Sequence, residues 1–326
     1  MRFLRFLFLL LLLAGGLAVY RAMSPYQGFS GETFVDIPHG TSTGGIAALL
    51  ADAGVVRSRG DFLLARAALR GRVLQAGEYK FSRAATPVEV YERIARGDIF
   101  YYELVVPEGR NMFDIAASVE QLGLFPASAF LAAARNPALV RDLDPQAPTL
   151  EGYLFPNTYR LSRHTTPDRL CRIMTGKFRE VWSGLKTDAG IHRTVTLASL
   201  VEKEGKLAPE RQQIAAVFDN RLRMGMKLDC DPTTIYAALL ANRYRGTIYR
   251  SDLESDDPYN TYRHAGLPPG PIANPGLPSL QAALHPADSD AIYFVLRPDG
   301  SGGHQFSNNI AAHEAATAKY RRGLQR

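Results

Sequence analysis

Two carboxylates in an apolar helical stretch, Glu202 and Glu204 of Leu197-Ala-Ser-Leu-Val-Glu202-Lys-Glu204-Gly205, are the residues of this chain best suited to acid/base chemistry. A glutamate in apolar surroundings has its charged form disfavoured, so its pKa rises toward neutrality and it can protonate a leaving oxygen. Cleavage of a β-linked glycan needs such an acid. Two helical steps set the side chains about 200° apart, so one at most faces a given cleft. Leu197, Leu200 and Val201 make the apolar face, and Glu204 lies nearer to it than Glu202 does. Periodicity does not choose between them. In the bland reading Glu202 is a solvated helix residue paired with Lys206 four positions on.

A glycoside hydrolase places a second carboxylate roughly 5 to 9 Å from the acid, as nucleophile or to activate water. Asp229, Asp231, Glu151 and Asp219 are candidates that spacing does not separate. Asp231-Pro232-Thr233 also reads as a helix cap. His264, His285, His304 and His313 have no short ligand spacing and there is no Cys-x-x-Cys, so no metal site is expected. Cys171 and Cys230 lie far apart in sequence, and spacing does not say whether they pair.

These groups must be carried to their polymer. Arg2 and Arg5 precede an uncharged run from Phe6 to Tyr20, closed by Arg21, which is an export signal. The uncharged run would rise about 22 Å as a helix, short of the roughly 30 Å hydrocarbon core, so a span must begin near Phe3 with Arg5 snorkelling. A cleavable signal peptide cut after Ala14-Gly15-Gly16 is the alternative. The arginine bias puts the N-terminus in the cytoplasm and the bulk of the 326 residues outside. A formal charge of +6 suits an anionic neighbour, and no Lys/Arg stripe with interleaved aromatics points to nucleic acid.

The first half carries a repeat. Ile37-Pro38-His39-Gly40, Ile46-Ala47 and Gly54 recur as Val106-Pro107-Glu108-Gly109, Ile115-Ala116 and Gly123. Each copy reads as a strand ending at Pro-x-Gly and feeding a helix with a glycine at its end. Leu74 to Phe81 trails the first copy and Leu150 to Phe155 the second. Thr86 to Gly97 has a polar cap, an early proline and a terminal glycine, and reads as a helix. Asn136 to Thr149 looks like a linker, which sets a boundary near Leu150. Beyond it the pattern predicts helices over Thr166 to Trp182, Thr194 to Lys203, Glu210 to Met224 and Thr233 to Ala241. A long loop over Tyr249 to Gly276, a buried strand over Ala291 to Leu296 and a last helix over Asn309 to Arg322 follow.

With the Glu202 segment, Tyr259-Asn260-Thr261-Tyr262 and Gly266-Leu-Pro-Pro-Gly-Pro-Ile-Ala-Asn-Pro-Gly276 make the chain resemble the MltG (YceG-like) family of endolytic peptidoglycan transglycosylases, from about Phe34 to Tyr320. The resemblance implies an α+β protein. Its parts would be an N-terminal membrane helix (residues 1–22), a LysM-like α/β region containing the repeat (34–149), and a mainly helical catalytic portion with a small sheet (150–322). It points to Glu202 as the catalytic acid. Asn220, Tyr236, Tyr259, Asn260, Tyr262, Glu151 and Tyr153 would line the glycan cleft, and His304 and Phe306 would structure its floor. Gly205 and Cys230 depart from the family pattern.

A lytic transglycosylase needs no second carboxylate, because the substrate's own C6 hydroxyl attacks the anomeric carbon. The product would end in 1,6-anhydro-N-acetylmuramic acid, with no cofactor. The expected setting is the bacterial inner membrane, catalytic portion in the periplasm, with peptidoglycan strands and penicillin-binding synthases as partners. Two rival readings are a noncatalytic glycan-binding partner of wall synthases and a muramidase that uses water.

Overall fold

The structure, a computed structural model, describes residues 2–69 and 72–323. The fold is α+β, and its contacts divide it into two units, Met1–Tyr102 and Glu103–Arg326. In the first, α1 (Arg2–Met23) precedes β1 (Thr33–Ile37), α2 (Thr43–Asp52), α3 (Arg59–Ala68), β2 (Gly77–Phe81) and α4 (Pro87–Arg96). Strands β1 and β2 pair antiparallel, with Val35 opposite Tyr79 and Ile37 opposite Gly77. Val35, Ile37, Leu50, Phe62, Tyr79, Tyr91 and Ile94 form the core against which α2, α3 and α4 pack. The capping box of Thr86 and Glu89 starts α4, and Gly97 in the left-handed region ends it.

Helix α1 is longer than the uncharged run alone. Its 22 residues rise about 33 Å, enough for a hydrocarbon core, because the helix takes in Arg2 to Arg5 and runs on to Met23. Residues Arg5–Met23 are apolar enough to cross a membrane, with a mean hydropathy of 2.1, and are compatible with a single-pass anchor.

The second unit holds nearly all of β3 (Tyr102–Val106), then α5 (Met112–Gln121), α6 (Ala127–Ala134), β4 (Asn157–Leu161), α7 (Pro167–Gly184), α8 (Ile191–Glu204), α9 (Arg211–Arg223) and α10 (Asp231–Leu240). It continues through α11 (Arg250–Leu253), α12 (Leu277–Leu284), β5 (Tyr293–Leu296), β6 (His304–Ser307) and α13 (Ile310–Gly323). Strands β3 and β4 form one two-stranded sheet and the antiparallel β5–β6 pair another.

The repeat is structural. Both copies run strand, helix, helix, strand: β1-α2-α3-β2 and β3-α5-α6-β4. Gly40 (φ 81°) and Gly109 (φ 76°) turn the chain out of the strand, and Gly54 (φ 68°) and Gly123 (φ 70°) end the first helix. The residue after each of those glycines donates back into the helix, Val55 N to Leu50 O at 2.9 Å and Leu124 N to Val119 O at 3.2 Å.

The division between units falls at Tyr102/Glu103, so it separates the two copies. The second copy shares its polar interior with the helices that follow: Asp144 bonds His192 Nδ1 at 2.7 Å, and Glu151 bonds Asn274 Nδ2 at 2.7 Å. The segment read as a linker is therefore packed, with Val140, Asp144 and Ala147 buried. The strand expected to be buried is β5, whose residues are only half-buried. Cys171 and Cys230 are free thiols, both buried.

Candidate active site

Helix α8 is the central element of the second unit, with every residue from Thr194 to Val201 buried. Its last turn carries both glutamates, and it stops at Gly205. A Cβ there would lie 2.9 Å from both Arg211 Cγ and Val201 O, so only glycine lets the chain leave the helix this closely. The two carboxyls leave the helix end in different directions, as the spacing requires.

Glu202 points into an ion pair. Its Oε1 accepts from Arg211 Nη2 at 3.0 Å and its Oε2 from the backbone N–H of Gly276 at 3.0 Å, and the side chain is 5% exposed. Arg211 also lies 3.6 Å from Glu108 Oε2 and donates through Nε to Gly205 O. Burial and the nearby Glu202 push the Glu108 carboxyl up from its usual range, against the pull of Arg211. Lys203 Nζ donates to Gly109 O, which closes the Pro-x-Gly turn of the second copy onto the end of α8.

Glu204 faces a pocket of about 410 Å³, whose walls include Asp229, Cys230, Asp231, Tyr262, Tyr293 and His313. Burial raises its pKa. A hydrogen bond from Cys230 Sγ to Oε1, 3.3 Å long, acts the other way, Asp231 adds to the rise, and His304 and Lys203 oppose it. Its position at the C-terminal end of α8, where unpaired carbonyls gather negative charge, disfavours the ionised form as well. Asp231 does not cap α10; it occupies the first turn and accepts from Tyr262 Oη at 2.6 Å. Burial and that bond hold the Tyr262 phenol protonated.

Of the residues expected to line a cleft, Tyr262 alone does so among this pocket's walls. The others are turned inward. Asn220 donates to Ser289 O and Ala291 O, both at 2.8 Å, joining α9 to the chain before β5. Asn260 is fully buried, its Nδ2 donating to Asp252 O, Leu253 O and Ser255 O and its Oδ1 accepting from Tyr262 N. Tyr153 donates to buried Asp144 and packs edge-on against Phe178. Tyr236 lies between Phe113 and Tyr259. Of these, Asn220, Asn260 and Tyr153 are buried with their polar side-chain groups engaged, whereas the buried Tyr236 hydroxyl makes no hydrogen bond.

Glu151 is 1% exposed. Its Oε2 accepts from Met112 N at 2.9 Å and its Oε1 from Asn274, and burial pushes its pKa up to about 8. Asn274 is a residue that the sequence reading did not single out. Its Oδ1 accepts from Gly152 N and Leu154 N, both at 2.9 Å, and its Nδ2 donates to Arg110 O and Glu151. Its backbone exchanges a pair of bonds with Gly109 and Arg110. Glu108, Arg211 and Cys230 were likewise not assigned roles. The one sequence signal for Glu108 is that the variable position of the repeated Pro-x-Gly turn holds histidine in the first copy and glutamate in the second.

His304 Nδ1 pairs with Glu210 Oε2 at 2.9 Å and packs edge-on against Phe294. Among the described residues no group of three or more His, Cys, Asp or Glu side chains could hold a metal ion.

The YceG-like family model matches residues 35–319, from the first strand to the last helix. The chain belongs to the YceG-like family. It is 31% identical over 333 residues to the endolytic murein transglycosylase of Bacillus subtilis (strain 168), covering 95% of this chain and 91% of that one. It is 30% identical over 351 residues to the endolytic murein transglycosylase of Streptococcus pneumoniae serotype 2 (strain D39), and the match spans 96% of this chain but 64% of that longer protein. A crystal structure of a yceG-like protein from Listeria monocytogenes shares the fold with a TM-score of 0.55 at 30% identity, covering 87% of this chain and 98% of that one. The YceG-like match thus takes in both units and both glutamates.

Proposed function

We propose that this chain is an endolytic murein transglycosylase that cuts the β-1,4 bond between N-acetylmuramic acid and N-acetylglucosamine within nascent strands. The observation that carries the reading is the half-buried carboxyl of Glu204 at the wall of the pocket, with its pKa raised by desolvation. In this mechanism Glu204 gives its proton to the glycosidic oxygen as the C1–O4 bond breaks. The resulting carboxylate then takes the proton of the C6 hydroxyl as O6 bonds to C1. Glu204 is restored, no water is consumed, and the new end is a 1,6-anhydro sugar.

The family resemblance points to Glu202 as the acid, and the surroundings favour Glu204 in its place. Both oxygens of Glu202 are engaged by Arg211 and the Gly276 amide, which suits a residue that fixes the helix end and the loop before α12. Glu204→Gln should abolish anhydro-ended fragments from purified strands while the protein stays folded. Glu202→Gln should leave measurable turnover with reduced stability. The opposite ranking would return the acid role to Glu202.

Asp229 and Asp231 share the pocket with Glu204, and this favours a second reading, a muramidase that delivers water. Product mass separates the two, since the hydrolytic end is heavier by one water. The strand-helix-helix-strand modules support a LysM-like, glycan-holding role for the N-terminal region. With α1 as a single-pass anchor, the second unit would work on the periplasmic face of the inner membrane, beside peptidoglycan synthases, and terminate glycan elongation. A reporter fused to the C-terminus should be periplasmic. Endolytic cutting predicts mid-sized anhydro-ended fragments at early times, whereas early disaccharides would mean attack from chain ends.

A further inference from the structure

Part of the wall of the Glu204 pocket is apolar, supplied by Phe218, Leu228, Phe294 and Ile310. Protonation of a glycosidic oxygen does not by itself call for such a lining. Arg221 shares the wall, 9% exposed and rigidly placed. Its Nε donates to Ile292 O at 2.7 Å, and its Nη1 to Lys227 O at 3.1 Å, Leu228 O at 2.9 Å and Asp229 Oδ2 at 3.1 Å. The guanidinium carbon stands 5.1 Å from the centre of the Tyr293 ring. Nη2 makes no hydrogen bond to a described residue. A largely buried donor without a partner, in the wall of a cavity, calls for an acceptor from outside.

Tyr262 is the opposite case. Its hydroxyl hydrogen is committed to Asp231 Oδ1 at 2.6 Å, and no described residue donates to the oxygen. The lone pairs that remain are acceptors, made stronger by the carboxylate on the other side of the hydroxyl. Arg221 and Tyr262 grip one short segment: Arg221 holds Asp229, Tyr262 holds Asp231, and Cys230 between them donates to Glu204. Cα atoms two residues apart are separated by at most about 7 Å. An amide bonded at both ends needs roughly 8 Å from the donor nitrogen to the acceptor oxygen. Groups fixed to the two ends of this segment are therefore placed to hold one amide between them, with apolar wall for a methyl.

We propose that this pocket is a subsite for the 2-acetamido group of the hexosamine whose C1–O4 bond is cut. Arg221 Nη2 donates to the acetyl carbonyl, Tyr262 Oη accepts from the amide N–H, and the methyl group packs on Leu228 and Ile310. The acetamido group stands on C2, so holding it turns the neighbouring C1 toward Glu204. A de-N-acetylated sugar carries an ammonium there instead. It has no acceptor for Nη2 and sets a positive charge beside the guanidinium, so the subsite selects N-acetylated strands. The inference rests on the reading of the Glu204 pocket as the place of cleavage.

The test uses the full chain in detergent and three forms of one glycan preparation: as purified, chemically de-N-acetylated, and re-acetylated. De-N-acetylation should lower kcat/KM by about tenfold or more, and re-acetylation should restore it. Tyr262→Phe should shrink the ratio of acetylated to bare rates by about fivefold, the worth of one hydrogen bond. A residue that only supported the fold would lower both rates and leave the ratio alone. Arg221 holds too much of its loop to be replaced, so its contact is read from the substrate: strands re-acylated with thioacetyl groups, whose sulfur accepts weakly, should be cut more slowly than acetylated ones. Calorimetry with chitotetraose and its de-N-acetylated counterpart measures the same preference without cleavage. Cleavage of acetylated and bare strands at equal rates overturns the subsite and leaves the acid role of Glu204 standing. Acetyl-dependent binding that Tyr262→Phe weakens, without cleavage of any strand, supports the subsite and sinks the enzymatic reading. Tighter binding of the de-N-acetylated tetramer would make Asp229 and Asp231 the walls of a cation site, and that overturns the proposal.

Discussion

Asn274→Ala removes the most heavily used side chain around the site. The fully buried amide makes four hydrogen bonds, and truncation leaves the N–H groups of Gly152 and Leu154 and the Oε1 of Glu151 without partners. Arg110 O keeps its bond from the Asn274 backbone, and Glu151 keeps its bond from Met112 N. A buried polar group left unsatisfied costs about 1–3 kcal/mol. Three of them give a loss of about 3–9 kcal/mol, a large part of the roughly 5–15 kcal/mol that stabilises a domain. Urea denaturation followed by circular dichroism should show an unchanged slope and a midpoint lowered by that free energy divided by the slope. Asn274→Asp should be at least as harmful, since it removes both donors and sets a second carboxylate against Glu151. A loss below about 1 kcal/mol in Asn274→Ala would mean that the neighbours rebuild the network, and the clasp would not be what joins the Gly109 turn to the loop before α12.

Gly152→Ala should cost about 2–4 kcal/mol, because φ is +87° and the new Cβ would lie 2.5 Å from Pro271 Cγ and 2.8 Å from Val195 Cγ1. Gly123→Ala, at φ +70° in open space, is the control and should cost about 1 kcal/mol in the same titration. Stability of the second unit should fall as pH rises from 6 to 9. The Glu151 pKa of about 8 lies above its unfolded value, so the folded form binds the proton more tightly and that advantage is lost as pH passes through 8. Glu151→Gln should flatten the slope, and an unchanged slope would assign the effect to other groups. Cys230→Ala removes the donor that favours ionised Glu204, so the alkaline limb of activity should move to higher pH; Cys230→Ser, a stronger donor, should move it down. Overlapping profiles for the three proteins would deny Cys230 any hold on Glu204.

The elements that could be read from sequence are those with local signals. Helix α4 announces itself by Thr86, Glu89, Pro87 and Gly97, and each repeat copy by Pro-x-Gly and a closing glycine. Helix α12 escaped notice because Gly276-Leu277-Pro278 ends a proline-rich loop, and a proline in the first turn looks the same as one more loop residue. Site chemistry was harder to read for a related reason. Tyr259 and Asn260 are types that suit a sugar, yet the same types satisfy buried carbonyls and fill aromatic cores, and sequence does not carry burial. The two glutamates differ only in what the fold brings up to them: Arg211 and Gly276 from one side, Cys230 and Asp231 from the other.

The paired Pro-x-Gly turns have unequal freedom to change. At Gly40 nothing lies within 4 Å of where a Cβ would stand, so a substitution there meets only backbone strain. At Gly109 the same atom would come 3.3 Å from Glu202 Cγ, and the residue before it is a carboxylate beside Arg211. One turn is held by backbone conformation alone, whereas its twin has also become part of the wall against which the helix of the glutamates is set. Among natural variants, loss-of-function changes should therefore gather on the second copy of the motif and spare the first. A duplicated module has in this way supplied the molecule with one replaceable part and one that it cannot exchange.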